Sequence, residues 1–147
     1  GIIGPGCIIA NNLIDNNDIG IYTSSSFSIF DNIITNNSGN GIYCFHTTSP
    51  DSSIIKNNII SNNHEGGIMC WSSSSPSIIG NKISNNISGA GGGILCGMNS
   101  SPQIINNIIS NNTAHDGGGI YCSNNNTSPG TNPLIRNNTI VFNFCSK

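Results

Sequence analysis

Charge is what this chain has least of. Only 7% of its residues are charged, four Lys or Arg against six Asp or Glu, for a net charge of -2. The basic residues Lys56, Lys82, Arg136 and Lys147 are scattered, which argues against nucleic acid and anionic lipid as partners, because both need clustered positive charge. Long apolar runs are missing too, so no segment is expected to span a membrane. The opening Gly1-Ile2-Ile3-Gly4-Pro5-Gly6 has neither a basic start nor an apolar stretch. It does not read as a signal peptide, and a first residue other than Met suggests a mature product or an excised segment. Sustained 3.6-residue periodicity is absent, and the abundant residues are poor helix formers. Strands and tight turns remain.

What is abundant is Ile and Asn, roughly a fifth of the chain each, with Gly and Ser behind them. The 147 residues fit one domain, spanning 1–147, if the apolar side chains converge. Four segments align on one motif: Gly41-Ile42-Tyr43-Cys44, Gly67-Ile68-Met69-Cys70, Gly93-Ile94-Leu95-Cys96 and Gly119-Ile120-Tyr121-Cys122, each 26 residues after the last. Upstream the unit relaxes to Gly20-Ile21-Tyr22-Thr23 and Gly1-Ile2-Ile3-Gly4, at spacings of 21 and 19. A fixed strand motif with variable loops is the behaviour of a solenoid.

Between these copies lies a second motif, Ile-x-x-Asn-x-Ile-x-x-Asn. It runs from Ile9, Asn12, Ile14 and Asn17 in the first coil to Ile135, Asn138, Ile140 and Asn143 in the last. The intervening copies place Asn32, Asn58, Asn81 and Asn107 at its first Asn position. Ile in each segment points inward. Asn takes the corner, where it tolerates a left-handed backbone and its amide bonds to the turn or to the Asn of the next coil. Stacking then makes Ile columns inside and a corner ladder of Asn32, Asn58, Asn81, Asn107 and Asn138, with strands about 4.8 Å apart.

These motifs resemble the parallel β-helix repeats of pectate-lyase-like proteins, of carbohydrate-binding and sugar-hydrolase β-helices, and of polymorphic outer-membrane proteins with Gly-Gly-x-Ile signatures. The resemblance covers nearly the whole chain. It implies an all-β, right-handed parallel β-helix of about six coils and three short sheets, with coils starting near residues 1, 20, 41, 67, 93 and 119. It implies no single activity, because the scaffold serves lyases, hydrolases, adhesins and fibres alike.

Period-2 alternation puts Ile and Cys of Gly-Ile-x-Cys on one face. Ile42, Ile68, Ile94 and Ile120 with Cys44, Cys70, Cys96 and Cys122 are therefore expected as an inward core ladder. The cysteines form either a stack of small buried thiols or rung-to-rung disulfides. No metal is expected, because a linear column does not supply tetrahedral ligands. Cys7 and Cys145 fall outside the column.

Candidate catalytic groups are sparse, and no cofactor is implied. The acids belong to different coils, so the clustered or paired carboxylates used by lyases and hydrolases do not assemble. The best constellation is His64-Glu65 and His115-Asp116, each just before a glycine run and two coils apart. Both pairs read as solvated turn residues, and His46 as a lone loop histidine. The column outside the buried Ile reads Ile3, Tyr22, Tyr43, Met69, Leu95, Tyr121, and a second reads Leu13, Ile33, Ile59, Lys82, Ile108, Thr139. Stripes this apolar call for cover by loops, lateral packing on another copy, or sugars stacked on the tyrosines. Of seven Asn-x-Ser/Thr triplets, those at Asn99, Asn125 and Asn126 lie in loops and are the candidate glycosylation sites.

No capping helix or charged terminal strand is evident, and the coil count is close to whole. Head-to-tail stacking on further copies of itself is the expectation. The sequence therefore reads as a non-catalytic extracellular or cell-surface structural protein, a filament or stalk module. A polysaccharide-binding or polysaccharide-processing β-helix is the alternative.

Overall fold

A computed structural model describes residues 1–46, 51–124 and 130–147. The candidate acceptors Asn125 and Asn126, and the loop from Thr47 to Pro50, lie outside the described residues. The strands are two to four residues long and pair in parallel with their equivalents one coil away. The Gly-Ile-x-Cys motif forms the first sheet, from Ile2–Ile3 through Ile21–Thr23, Ile42–Phe45, Ile68–Trp71 and Ile94–Cys96 to Ile120–Cys122. The two halves of the Asn motif form the other faces, a second sheet from Ile8–Ala10 to Leu134–Arg136 and a third from Leu13–Asp15 to Thr139–Val141. Each of these sheets has six strands, so the chain makes six coils.

Register is ungapped. Ile42, Ile68, Ile94 and Ile120 pair in order, and so do Ile55, Ile78, Ile104 and Ile135 in the second sheet and Ile60, Ile83, Ile109 and Ile140 in the third. Three Ile columns thus meet inside. In the middle coils they are fully buried, each stabilising the fold by about 2–3 kcal/mol through burial of its side chain. The glycine of Gly-Ile-x-Cys is set by close approach: a Cβ on Gly67 would lie 2.7 Å from the Gly93 carbonyl oxygen and 2.7 Å from Ile83 Cγ2.

At the corners the work falls to two neighbouring residues, which corrects the expectation that one Asn does both jobs. The left-handed residue is the one before the ladder Asn: Asn57 has φ 56° and Asn106 φ 57°, ahead of Asn58 and Asn107. The ladder Asn turns inward instead. Asn58 donates through Nδ2 to Asn81 Oδ1 (3.0 Å) and to Ile29 O of the preceding coil (3.0 Å), and its N–H bonds the same Asn81 Oδ1 (2.9 Å). Asn58 Oδ1 in turn accepts from the N–H and Nδ2 of Asn32. The pattern runs Asn12, Asn32, Asn58, Asn81, Asn107, Asn138 at one corner and Asn17, Asn37, Asn63, Asn86, Asn112, Asn143 at the next.

A fourth sheet of three strands, Ile87–Ala90, Thr113–Asp116 and Phe144–Cys145, goes beyond the three that the resemblance implied. Its cause is spacing. Gly41 and Gly67 come four positions after Asn37 and Asn63, whereas Gly93 and Gly119 come seven positions after Asn86 and Asn112. The longer intervals hold an extra strand before the turn at Gly91 or Gly117, both in the left-handed region.

Two predictions follow from the corner geometry. Asn57→Gly is expected to stay within about 0.5 kcal/mol of the parent in urea unfolding, because Gly accepts the left-handed backbone. Asn58→Gly is expected to lose about 3 kcal/mol, because the buried Asn32 amides lose their acceptor. Equal losses would refute the division of labour. Phe142 occupies a left-handed corner at φ 55° and is 84% exposed, so Phe142→Asn is expected to raise the urea midpoint by an amount equivalent to about 1 kcal/mol with an unchanged m-value.

Candidate functional site

The first sheet carries the two columns with the most chemistry. On its inner side Cys44, Cys70, Cys96 and Cys122 pair in direct register, and all six cysteines of the chain are free thiols. Cys44, Cys70 and Cys96 are buried, while Ile120 is half-buried and Cys122 exposed. This corrects the expected four-rung core: Ile120–Cys122 is the last strand of its sheet, and no described strand lies beyond it. Below Cys44 the column continues as Thr23, whose buried hydroxyl has no hydrogen-bond partner among the described residues.

The thiols interact along the stack. Donation from the Cys70 thiol to Cys44, followed by burial, pushes the Cys70 pKa well up. Cys96 is raised in the same way, by its hydrogen bond to Cys122 and then by burial. The same bond favours the Cys122 thiolate and lowers its pKa to about 7.

On the outer side Tyr22, Tyr43, Met69, Leu95 and Tyr121 are half-buried, and Ile3 is exposed. The Tyr22 and Tyr43 rings meet edge to face, 5.3 Å between centroids at 88°, and Tyr43 packs on Phe45 in the same manner at 6.4 Å. Burial, and then the neighbouring Tyr22, raise the Tyr43 phenol pKa. The second outward column, Leu13, Ile33, Ile59, Lys82, Ile108 and Thr139, is exposed along its length.

Beside the outer face of the first sheet, Asn40, His64, Glu65, Met69, Ser88 and Leu95 line a shallow groove of about 320 Å3. His64 and Glu65 are exposed turn residues; Asn40 Nδ2 donates to the Glu65 carbonyl, and His64 Nδ1 lies 3.3 Å from Asn37 O. His115 and Asp116 are not in a turn. They sit on the Thr113–Asp116 strand, with His115 Nδ1 3.2 Å from Asp116 Oδ2 and Lys147 Nζ 3.1 Å from Asp116 Oδ1. The hydrogen bond from His115, then that from Lys147, lowers the Asp116 pKa. The extra strand that moves this pair is legible only in the seven-residue interval.

His46 also departs from expectation. It is buried next to the Ile42–Phe45 strand, its N–H donating to Trp71 O at 3.4 Å. Trp71, which the sequence did not single out, lies over Gly97, where a Cβ would meet its ring at 2.3 Å. Asn99 sits in a left-handed turn at φ 65°, partly exposed. Among the described residues, no three His, Cys, Asp or Glu side chains come together as a metal site would require.

The thiolate is the alkylating form, so the rate of iodoacetamide modification at Cys122 is expected to rise with pH through about 7 and level off above it. Peptide mapping by mass spectrometry should find Cys44, Cys70 and Cys96 unmodified until the chain is unfolded. Modification of Cys96 at the rate of Cys122 in the native state would contradict the burial gradient.

The family described as right handed beta helix region matches residues 6–146. No curated protein and no solved structure matches the chain. With six parallel coils, ungapped Ile columns and a family match over nearly its full length, the chain belongs to the right-handed β-helix family.

Proposed function

We propose that the chain is a non-catalytic extracellular structural module, a rod that stacks end to end into a filament or forms part of a cell-surface stalk. The observation that carries this reading is the uniform polarity of the two Asn ladders. In the Asn-to-Asn bonds each ladder Asn donates to the following coil and accepts from the preceding one, while its amide also donates back to a carbonyl of the preceding coil. At the ladder positions one face of a middle coil therefore offers the Asn oxygens and the opposite face the Asn N–H groups that meet them; at the first coil the Gly1 amino group donates to Asn17 Oδ1. The match is the same whether the facing coil belongs to this chain or to a second copy, and repeated head-to-tail contacts of this kind build filaments.

Apolar side chains surround both faces: Ile3, Ile8 and Leu13 at the first coil, and Ile135, Ile140 and Phe144 at the last. Ile135 and Ile140 continue the core columns yet are 44% and 45% exposed, against 0% for Ile104 and Ile109 one coil below. Covering them with another coil removes apolar surface from water. A polysaccharide along Tyr22, Tyr43 and Tyr121 is less favoured, because that column offers edge-to-face rings interrupted by Met69 and Leu95, where successive sugars need parallel ring faces.

Electron microscopy and fibre diffraction of the purified chain test the proposal. Filaments with an axial spacing of about 4.8 Å are expected, and Ile140→Arg, which sets a charge on the last core position, is expected to return them to monomers. Monodisperse monomers of the unaltered chain, or filaments indifferent to Ile140→Arg, would overturn it.

A further inference from the structure

We propose that the outer face of the third sheet is a self-recognition surface. Two copies of the chain pack there sheet against sheet, antiparallel and related by a two-fold axis, with Lys82 of each copy meeting Asp15 of the other. In the first five coils the first outward position of this sheet holds Leu13, Ile33, Ile59, Lys82 and Ile108, all exposed and stacked in register. The other outward position holds Asp15, Thr35, Ser61, Ser84 and Ser110, each half-buried or buried, so nothing bulky rises beside the Ile column. Two-residue corners such as Asn57-Asn58 and Asn62-Asn63 bound the face on both sides. Sheets of this kind pack face to face about 10 Å apart.

The two charges choose the arrangement. Lys82 has no hydrogen-bond or ion-pair partner among the described residues, and the Asp15 carboxylate accepts only from the amides of Asn16 and Asn36. Covering either charge without the other is costly. In a parallel pair each coil faces its own equivalent, which sets Ile over Thr or Ser, Lys82 over Ser84 and Asp15 over Leu13. An antiparallel pair sets the Ile column over itself. With the axis between the second and third coils, Ile33 faces Ile59 of the other copy, and Lys82 faces Leu13, whose strand carries Asp15 two residues on. The Lys82 stem then covers apolar surface while its ammonium reaches the carboxylate, and the two-fold repeats the contact. An axis through the fourth coil sets Lys82 against Lys82 and is rejected by charge.

Four coils overlap in this register. At about 4.8 Å per strand and about 3.3 Å per residue they present about 200 Å2 a side, well below the roughly 800 Å2 per partner of a stable interface. A single pair is therefore weak. Chains stacked end to end sum the contact along their length, so the proposal rests on that stacking for its strength.

The test separates the face from the stacking. The Ile140→Arg chain, which is not expected to stack, is followed by sedimentation equilibrium at rising concentration, and the unaltered chain by electron microscopy. Dimers of the first and side-by-side pairs of filaments of the second are expected. Lys82→Glu is expected to weaken the dimer about 10-fold, because each dimer holds two such ion pairs. Adding Asp15→Lys to Lys82→Glu is expected to restore it, which a loss through misfolding would not allow. Absence of both dimers and paired filaments overturns the proposal, and so does a Lys82→Glu chain that pairs like its parent or a charge exchange that restores nothing. If the unaltered chain forms no filaments the stacking fails, while Ile140→Arg dimers that obey the charge exchange still support the face.

Discussion

Bending a chain inward at every corner brings backbone N–H and C=O groups into the core, where an unpaired one is costly. The side-chain amide of Asn meets that demand because it is donor and acceptor at once. Asn58 satisfies Ile29 O below it, Lys56 O beside it and Asn81 Oδ1 above it, while its own oxygen takes both N–H groups of Asn32. Its shape is as important as its polarity: a Gln would reach too far for the fixed strand spacing, and an Asp would bring an acceptor without the donor. The rest of the coil depends on this contact, since it fixes both the height between strands and the register in which the Ile columns meet.

Because the Asn-to-Asn bonds of a ladder all point the same way, they polarise one another, and losing one rung disturbs its neighbours above and below. The left-handed residue before each ladder Asn carries a separate and weaker requirement, which explains its tolerance. Among the twelve such corners nine are Asn, and the others are Asp31, Gly80 and Phe142. The ladder position itself is Asn throughout the six coils at both corners.

Most of the architecture was legible in the sequence because each layer repeats in the same register: Gly-Ile-x-Cys for the first sheet, Ile-x-x-Asn-x-Ile-x-x-Asn for the other two. What was not legible came from context that a motif does not carry. Consecutive Asn residues such as Asn57-Asn58 look alike as letters, and only the backbone angle separates the one that bends from the one that bonds. The fourth sheet was hidden because Thr113-Ala114-His115-Asp116 lacks the Ile alternation of the other strands and pairs mainly through its backbone. Exposure of Cys122 depends on what stacks above it, a property of the coil's place in the series rather than of the motif.

The thiol column shows how the coil length limits what the interior can hold. Its positions read Gly4, Thr23, Cys44, Cys70, Cys96 and Cys122. Cys appears only in the four coils whose first-sheet motifs recur every 26 residues, and the shorter intervals of 19 and 21 follow the coils that hold Gly4 and Thr23. Ile fills the neighbouring column two residues earlier in every coil, so the change is confined to one position and is not a general thinning of the core. A thiol is less demanding than a hydroxyl there, since sulfur is a weak hydrogen-bonding group that loses little on burial, whereas the Thr23 hydroxyl is buried unpaired.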